Sequence, residues 1–294
     1  MKPTTFDYVV AASVEEAMEL VERDEDAKFI AGGQSLLPLL SLRFATPSLL
    51  VDIGRIPGLN TVESDRETLT IGALTPHSQV ARNDQIRKHA PLLAEAAGWV
   101  AHAQVRNRGT LGGAVAHSDA AAEFPAVLLA YNAAIVTASK TGRRKIAAED
   151  FFGSHYQTSL EHGELIVAIE IPYPAYTRWG FHEFARRKGD YAIGGAALVA
   201  DVDSDGTCKA VRAGLIAAGA GPTLARGLQE SLVGRIVDLK TVTDAAARAG
   251  EHLKPESNTH GSSRYRQAVI EEALRRALCQ AFALNDDHTR KKSA

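Results

Sequence analysis

The stretch KFIAGGQSLLPLLSLRF, residues 28–44, contains an apolar run that stops at Gly32-Gly33 and resumes directly after Gln34 and Ser35. Upstream, Ser13 and Glu16 form a capping-box pattern ahead of a helical segment. The flanking segments KFIA and SLLVDI are typical of short buried strands. We therefore predict a small βαβ-like unit with a glycine turn at the end of a strand. Glycine tolerates positive φ and lacks a Cβ, so such a turn can either be merely tight or present backbone N–H groups to an anion.

In the rest of the chain, predicted strands and helices are interspersed up to residue 172, and beyond it a run of strands precedes a run of helices. This change in order predicts two successive units, each containing both strands and helices. Strands are expected at 68–75, 133–139, 143–152, 164–172, 179–187, 192–202 and 209–218. Helices are expected from Thr75-Pro76, from Pro91, and at 121–132, 239–250 and 263–282, with QVRNRGTLGGAVAHSDAAAEFP as a loop. The proline-containing segment IPYPAY is expected to be a linker, since proline cannot continue a sheet ladder.

These patterns define the predicted domains. We expect an N-terminal domain over 1–175, with subdomains of about 1–55 and 56–175. A C-terminal α+β domain over 176–288 would contain a three-stranded antiparallel sheet with helices on one face. Residues 289–294, which include a basic cluster, are expected to form a flexible tail.

Composition and charge exclude several classes of function. The 294 residues are 45% apolar and 23% charged with a formal net charge of −2, so we expect a globular protein without a nucleic-acid or lipid partner. No apolar run is long enough to cross a membrane, and MKPTTFDYVV lacks a signal-peptide core, so we expect no membrane insertion and a cytoplasmic location. Cys208, Cys279 and the ten histidines show no metal-binding spacing, so no metal site is expected on this chain.

A second glycine pair, Gly112-Gly113, lies in the segment TLGGA at 110–114. Each pair follows an apolar segment and has a hydroxyl residue beside it, Ser35 in the first and Thr110 in the second. Two such loops facing each other would bind a diphosphate through backbone dipoles, which suits a dinucleotide. Neither pair matches G-x-G-x-x-G, and the chain contains no P-loop motif, so a Rossmann nicotinamide site is not predicted.

Three segments, IAGGQSLLPLL, VRNRGTLGGAVAHSDAAAEFPAVLLA and RRKGDYAIGGAAL, together resemble the FAD-binding medium subunit of the molybdenum hydroxylases. That family includes the flavoprotein subunit of carbon monoxide dehydrogenase and the central domain of xanthine dehydrogenase. The segment RAGLIAAGAGPTLAR resembles the start of the family's C-terminal domain, so the resemblance covers nearly the whole chain. It implies an α+β fold, with a two-part FAD-binding domain of the flavin oxidase/reductase type followed by a C-terminal α+β domain.

The resemblance also implies noncovalent FAD and a set of cofactor-binding residues. The diphosphate would lie on the two glycine segments. Asp119 would contact the polar part of FAD or cap the following helix, and these roles are compatible. A cation among 186–188 would face the flavin ring, and Tyr191 would stack on it; the alternative is a solvated strand end with a core tyrosine. The implied residues are Ala31, Gly32, Gly33, Gln34, Ser35, Leu36, Thr110, Leu111, Gly112, Gly113, Ala114, Asp119, Leu165, Ile166, Lys188 and Tyr191.

Ala114 and Ala120 depart from the family pattern, which often has asparagine and proline at these positions. Both departures affect side-chain assignments more than backbone assignments. Leu165 and Ile166 match positions where the family packs apolar groups near the flavin, and without the resemblance they would be ordinary core residues.

The implied function is that of a flavoprotein subunit in a molybdenum-containing hydroxylase complex. The molybdenum cofactor would lie on a molybdopterin-binding large subunit and the [2Fe-2S] clusters on an iron-sulfur small subunit, in a dimer of heterotrimers. This chain would pass electrons from the clusters through FAD to an external acceptor, without a catalytic residue of its own. Two alternatives stay open: a self-contained FAD-dependent oxidase or reductase, and a flavin-free scaffold subunit of the same fold. Neither the substrate nor the final acceptor is predicted.

Overall fold

The computed structural model of the chain describes residues 1–173 and 176–284. The predicted boundary near residue 175 and the predicted tail at 289–294 lie outside these residues. The strands are β1 (Asp7–Val10), β2 (Lys28–Ile30), β3 (Leu49–Asp52), β4 (Val62–Ser64), β5 (Thr68–Gly72), β6 (Ala134–Ser139), β7 (Gly142–Ala147), β8 (Leu165–Pro172), β9 (Arg178–Ala185), β10 (Ala192–Val202), β11 (Cys208–Ile216) and β12 (Thr223–Leu224).

The helices are short in the first half of the chain and longer near its C-terminal end. They are α1 (Val14–Glu22), α2 (Leu36–Leu42), α3 (His77–Val80), α4 (Asp84–His89), α5 (Pro91–Trp99), α6 (Ala103–Arg106), α7 (Leu111–His117), α8 (Glu123–Tyr131), α9 (Ala148–Phe151), α10 (Leu228–Leu232), α11 (Leu239–Gly250) and α12 (Ser263–Ala281).

The first sheet is parallel, with strand order β1-β3-β2. The predicted capping box is present: Ser13 Oγ accepts from the Glu16 N–H at 3.1 Å, and Glu16 Oε2 accepts from the Ala12 N–H at 2.7 Å. Strand β1 and helix α2 were not predicted. Helix α2 has the sequence LLPLLSL, which has no polar face and therefore no helical periodicity to detect.

The second sheet is antiparallel, with strand order β4-β5-β8-β6-β7. Every residue of helix α8 after Glu123 is buried, which agrees with the predicted buried helix. The predicted loop over 104–125 is wrong in part, because it contains most of α6 and all of α7. The predicted strand over 143–152 ends at Ala147 and continues as helix α9.

The C-terminal sheet is antiparallel, with order β12-β11-β10-β9, and lies between two helices. The three predicted strands are present, and the two-residue strand β12 adds a short edge. A Cβ on Gly180 would lie 1.9 Å from the Ala277 carbonyl oxygen of α12, so α12 packs tightly on one face. On the other face, a Cβ on Gly214 would lie 2.0 Å from the Ala126 carbonyl oxygen of α8. The sheet is therefore covered by its own helix on one side and by the preceding domain on the other.

Arg266 of α12 fixes the loops at one end of this sheet. The side chain is only 7% exposed and donates to the carbonyl oxygens of Ile193, Ala217 and Glu256. Replacing Arg266 with alanine leaves three carbonyl groups without this donor, so we expect the free energy of unfolding to fall by about 3 kcal/mol. Denaturant titration measures this difference. The matched control is Arg264→Ala on an exposed position of the same helix, and an equal loss in both variants would contradict the assignment.

Candidate functional site

The first glycine pair forms the connection between β2 and α2. Gly33 has φ +71°, a conformation that favours glycine. The side-chain amide of Gln34 donates to the Gly32 carbonyl oxygen at 3.0 Å and so braces the turn. Within residues 1–173 and 176–284, the N–H groups of Gly33, Gln34, Ser35 and Leu36 donate to no protein acceptor. This turn therefore presents consecutive backbone donors, as the sequence predicts.

The first glycine pair lies against the residues that precede the second glycine segment. A Cβ on Gly32 would lie 2.0 Å from the Arg108 carbonyl oxygen and 2.9 Å from the Gly109 Cα. The β2–α2 turn can approach the residues before Thr110 this closely only because Gly32 has no side chain. The turn therefore lies beside the residues that lead into the second glycine segment, and a shared diphosphate site stays a prediction.

The second glycine segment is a helix start and not a loop with free amides. Thr110 is the N-cap residue of α7, and its Oγ1 accepts from the Gly113 N–H at 3.2 Å. The Leu111 N–H donates to the Thr75 carbonyl oxygen at 3.0 Å, the Gly112 N–H to Ala73 at 2.8 Å, and the Ala114 N–H to Thr110 at 3.0 Å. The N–H groups of residues 111–114 are therefore already engaged within the protein, and the assignment of this segment to the diphosphate stays a prediction.

Gly113 instead presents a surface without a side chain. A Cβ at this position would meet only Thr110 Oγ1, at 2.9 Å, whereas a Cβ on Gly112 would collide with Ala73. The two adjacent glycines therefore have different roles: Gly112 allows close packing inside the domain, and Gly113 leaves space outside the helix.

Asp119 follows α7 and is 9% exposed. Its Oδ1 accepts from the Ala121 N–H at 2.9 Å, which stabilises a local turn. Helix α8 begins at Glu123 with Ala122 as its N-cap residue, so Asp119 does not cap that helix as the alternative interpretation expected. The charge of Asp119 contributes to the raised pKa values of Tyr156 and Tyr191.

The turn between β9 and β10 carries the predicted ring-facing residues. Lys188 Nζ lies 5.9 Å from the ring centroid of Trp99, at the end of α5. Gly189 has φ +89°, and a Cβ there would lie 2.4 Å from His102 Nδ1, so the turn packs on the loop that follows α5. The side chain of Tyr191 is 69% exposed. Lys188 and Tyr191 thus lie on a surface turn that spans from the C-terminal sheet to the N-terminal domain.

Leu165 and Ile166 are adjacent residues of β8, and both are 4% exposed. Adjacent strand residues point to opposite faces of a sheet. Leu165 packs with the core of the parallel-sheet subdomain, and Ile166 packs with the main core. The structure therefore does not bring these two predicted side chains to one surface.

Glu164, which precedes Leu165 in the sequence, is expected to make the stability of the fold depend on pH. Burial alone would raise its pKa, but hydrogen bonds from Arg144 at 2.6 Å and Thr137 at 2.5 Å lower it to about 2. A carboxyl group with a lowered folded-state pKa stabilises the fold above its usual pKa of 4.5, and this contribution disappears as the pH falls toward 2. Because Arg144 is half exposed, we expect a discounted loss of about 2 kcal/mol between pH 6 and pH 2.5.

Denaturant titrations of the wild-type chain and of Glu164→Gln at both pH values measure this contribution. The glutamine variant should be less stable at pH 6 and should show a smaller further loss at pH 2.5. An identical pH dependence in the two proteins would contradict the assignment.

Sequence reasoning missed two glutamates whose pKa values are raised, the partly buried Glu123 and the buried Glu183. Glu123 begins α8, and burial together with the nearby Asp119 raises its pKa to about 7. Glu183 of β9 is 6% exposed, and burial together with Glu123 raises its pKa to about 8. The two positions are 60 residues apart in the sequence and match no spacing motif, so only the fold shows that they are neighbours.

Two further searches covered the described part of the chain. Among residues 1–173 and 176–284, no cluster of three or more histidine, cysteine, aspartate or glutamate side chains is arranged to bind a metal ion. Within the same residues, no helix combines the length and apolarity needed to span a membrane.

Comparison with sequence-family models decides the family. A model described as the FAD binding domain in molybdopterin dehydrogenase matches residues 4–174, and one described as the CO dehydrogenase flavoprotein C-terminal domain matches residues 179–281. The chain belongs to the FAD-binding medium subunits of the molybdenum hydroxylases. This membership confirms the predicted family, the predicted fold class and FAD as the cofactor.

Full-length relatives agree with this assignment to the medium subunits. The chain is 44% identical to 6-hydroxypseudooxynicotine dehydrogenase complex subunit alpha of Paenarthrobacter nicotinovorans over 284 residues, covering 96% of both chains. It is 37% identical to the carbon monoxide dehydrogenase medium chain of Hydrogenophaga pseudoflava over 287 residues, covering 96% of this chain and 99% of the relative. Both relatives are named as dehydrogenase subunits, which confirms the predicted oxidoreductase class.

Solved structures share the fold of this medium subunit. A chain of quinoline 2-oxidoreductase from Pseudomonas putida 86 superposes with a TM-score of 0.92 at 40% identity, covering 96% of this chain and 99% of that one. A chain of carbon monoxide dehydrogenase from Hydrogenophaga pseudoflava gives a TM-score of 0.93 at 37% identity, with the same coverage.

Proposed function

We propose that this medium subunit binds FAD noncovalently between the two glycine segments and the β9–β10 turn. The observation that carries the proposal is the run of unpartnered N–H groups at 33–36, which is suited to the negative charge of a diphosphate. Residues 110–114 would form a surface against which the cofactor packs rather than a set of amide donors, because the open side of Gly113 would let the cofactor approach the helix backbone. Gly32 lets the turn approach the Arg108 carbonyl group, and Ala31 packs against the core of the parallel-sheet subdomain.

The remaining assigned residues would contact other parts of FAD. Asp119 is a buried carboxylate that can accept hydrogen bonds from sugar or ribityl hydroxyl groups. Lys188, or its neighbours Arg186 and Arg187, would stabilise negative charge on the reduced ring, and exposed Tyr191 would cover one ring face. Leu165 and Ile166 are proposed as apolar support from within β8.

The proposed role in the complex is electron transfer. The subunit would accept electrons from the [2Fe-2S] clusters of an iron-sulfur small subunit and pass them to an external acceptor. A molybdopterin-binding large subunit would hold the molybdenum cofactor and the substrate. When bound, FAD supplies redox chemistry that exchanges electrons singly or in pairs. We further propose a dimer of heterotrimers in the cytoplasm; the names of the relatives as medium chains and complex subunits support a multi-subunit assembly.

Affinity purification of the tagged chain from its native host, followed by flavin, iron and molybdenum analysis, tests this proposal. We expect two further subunits to co-purify, together with FAD, iron and molybdenum. A lone yellow protein that oxidises a small substrate would contradict the proposal in favour of a self-contained flavin enzyme. A colourless chain that still carries both partner subunits would instead indicate a scaffold subunit.

A further inference from the structure

Glu183 faces the N-terminal domain from the middle of β9. Side chains alternate along a strand, and Phe181, two residues earlier, packs against Trp99 of α5 with ring centroids 5.6 Å apart. His182 points to the opposite face, where it lies 3.5 Å from Arg276 of α12. The Glu183 carboxyl group therefore enters the interface between the two domains and not the C-terminal core.

The carboxyl group has an unused hydrogen-bonding atom in this interface. Glu183 Oε2 is buried and has no hydrogen-bond partner within residues 1–173 and 176–284. The cross-strand neighbour of Glu183 on β10 is Gly195, which has no side chain to pair with the carboxyl group, and Ile216 of β11 packs over that glycine. Buried polar atoms without a partner are uncommon in folded proteins, and each one needs an explanation such as a bound group.

The groups around Glu183 keep it protonated near neutral pH. Burial and the charge of Glu123, on α8, raise its pKa to about 8. Asp119 precedes α8 and raises the pKa of Glu123 in turn. From α5, the Trp99 Nε1–H donates to Glu95 at 3.0 Å and so engages that carboxylate. A protonated carboxylic acid is a hydrogen-bond donor as well as an acceptor.

The same groups connect Glu183 to the proposed FAD cleft. Partial desolvation together with the charges of Asp119 and Glu123 raises the pKa of Tyr191, so Tyr191 lies within electrostatic reach of both carboxyl groups. Lys188, on the same β9–β10 turn, contacts Trp99. Glu183 and Tyr191 are thus both within electrostatic reach of Glu123 at the start of α8.

We propose that Glu183 is a further cofactor-binding residue, whose carboxylic acid donates a hydrogen bond to an acceptor atom of FAD. The inference rests on the proposed function, because it requires FAD in the cleft between the two domains. It goes further in predicting a pH dependence: ionisation of Glu183 removes the donor and places a negative charge beside a negatively charged cofactor. FAD affinity therefore falls as the pH rises through about 8.

The test is a titration of the full-length apoprotein with FAD between pH 6.5 and pH 9.5, followed by flavin fluorescence. We expect the dissociation constant of the wild-type chain to rise about tenfold over this range, the loss typical of one hydrogen bond. Glu183→Gln keeps a neutral donor at every pH, so its affinity at pH 7 should stay close to the wild-type value and the pH dependence should disappear. Glu183→Leu should bind about tenfold more weakly at pH 7.

Glu123→Gln provides a second and independent readout. It removes the neighbouring charge that raises the pKa of Glu183, so the decline in affinity should begin at a lower pH than in the wild type. Circular dichroism of each apoprotein verifies its folding. The inference is overturned by wild-type affinity in Glu183→Leu, or by an unchanged pH profile in Glu183→Gln. Failure of the wild-type chain to bind FAD at any pH would instead overturn the proposed function.

Discussion

Gly32→Ala is expected to lower the melting temperature of the apoprotein by about 5–10 °C and to prevent FAD retention. The added Cβ would lie 2.0 Å from the Arg108 carbonyl oxygen, well inside any allowed contact. Because the added Cβ would clash with backbone atoms, which cannot rotate away, the β2–α2 turn would have to move away from the residues before Thr110. That movement would break the packing between the turn and these residues and would displace the free N–H groups.

Differential scanning calorimetry and flavin content after purification measure the two effects of Gly32→Ala. The matched control is Gly98→Ala in α5, where an added Cβ would meet no atom within 4 Å. Alanine is favoured over glycine in helices by about 1 kcal/mol, so the control should be as stable as the wild type or slightly more stable. Equal melting temperatures for the two variants would show that the contact with Arg108 does not matter.

Gly113→Val is expected to reduce FAD affinity at least about 100-fold while the apoprotein stays folded. The open side of Gly113 is where we place the cofactor, so an isopropyl group there competes directly with FAD for space. In the apoprotein the Cβ of the new side chain would meet only Thr110 Oγ1, and losing that cap costs about 1 kcal/mol. Gly113→Val should therefore lower FAD affinity with little loss of stability, whereas Gly32→Ala should lower both.

FAD titration and thermal unfolding of the apoprotein test this separation. Gly113→Ala should give a smaller loss of affinity, because one methyl group occupies less of the space. Ala247→Val, on an exposed position of α11, controls for valine in a helix and should retain full affinity. Normal flavin content in Gly113→Val would refute the place assigned to the cofactor.

The sequence was sufficient to predict the first glycine segment but not the second. Gly33 adopts the positive φ that a glycine turn at the end of a strand allows. In contrast, LGGAVAH looks like a loop, because each glycine disfavours a helix by about 1 kcal/mol. The helix forms because Thr110 caps it and because Gly112 packs against the Ala73 backbone. The contact between Gly112 and Ala73 joins residues almost 40 positions apart, so a local sequence pattern does not reveal it.

Glu183 shows a different limit of sequence reasoning. In "FHEFARR" it shares a strand face with Phe181 and Ala185, and this pattern alone does not show whether a glutamate there is solvated or buried. Its actual environment exists because α8 of the preceding domain covers that face of the sheet. Whether a charged residue in a strand is solvated or buried depends on a packing partner that lies elsewhere in the chain.

The C-terminal sheet between α8 and α12 has a consequence for how the protein unfolds. Phe181, Val199 and Ile216 of this sheet belong to the same hydrophobic core as α5 and α8 of the preceding domain. An isolated C-terminal fragment would expose these side chains to water, at about 1.5–3 kcal/mol for each fully buried residue. We therefore expect segments 4–174 and 179–281 to unfold as one cooperative unit, so that cleavage between them would not release an intact half.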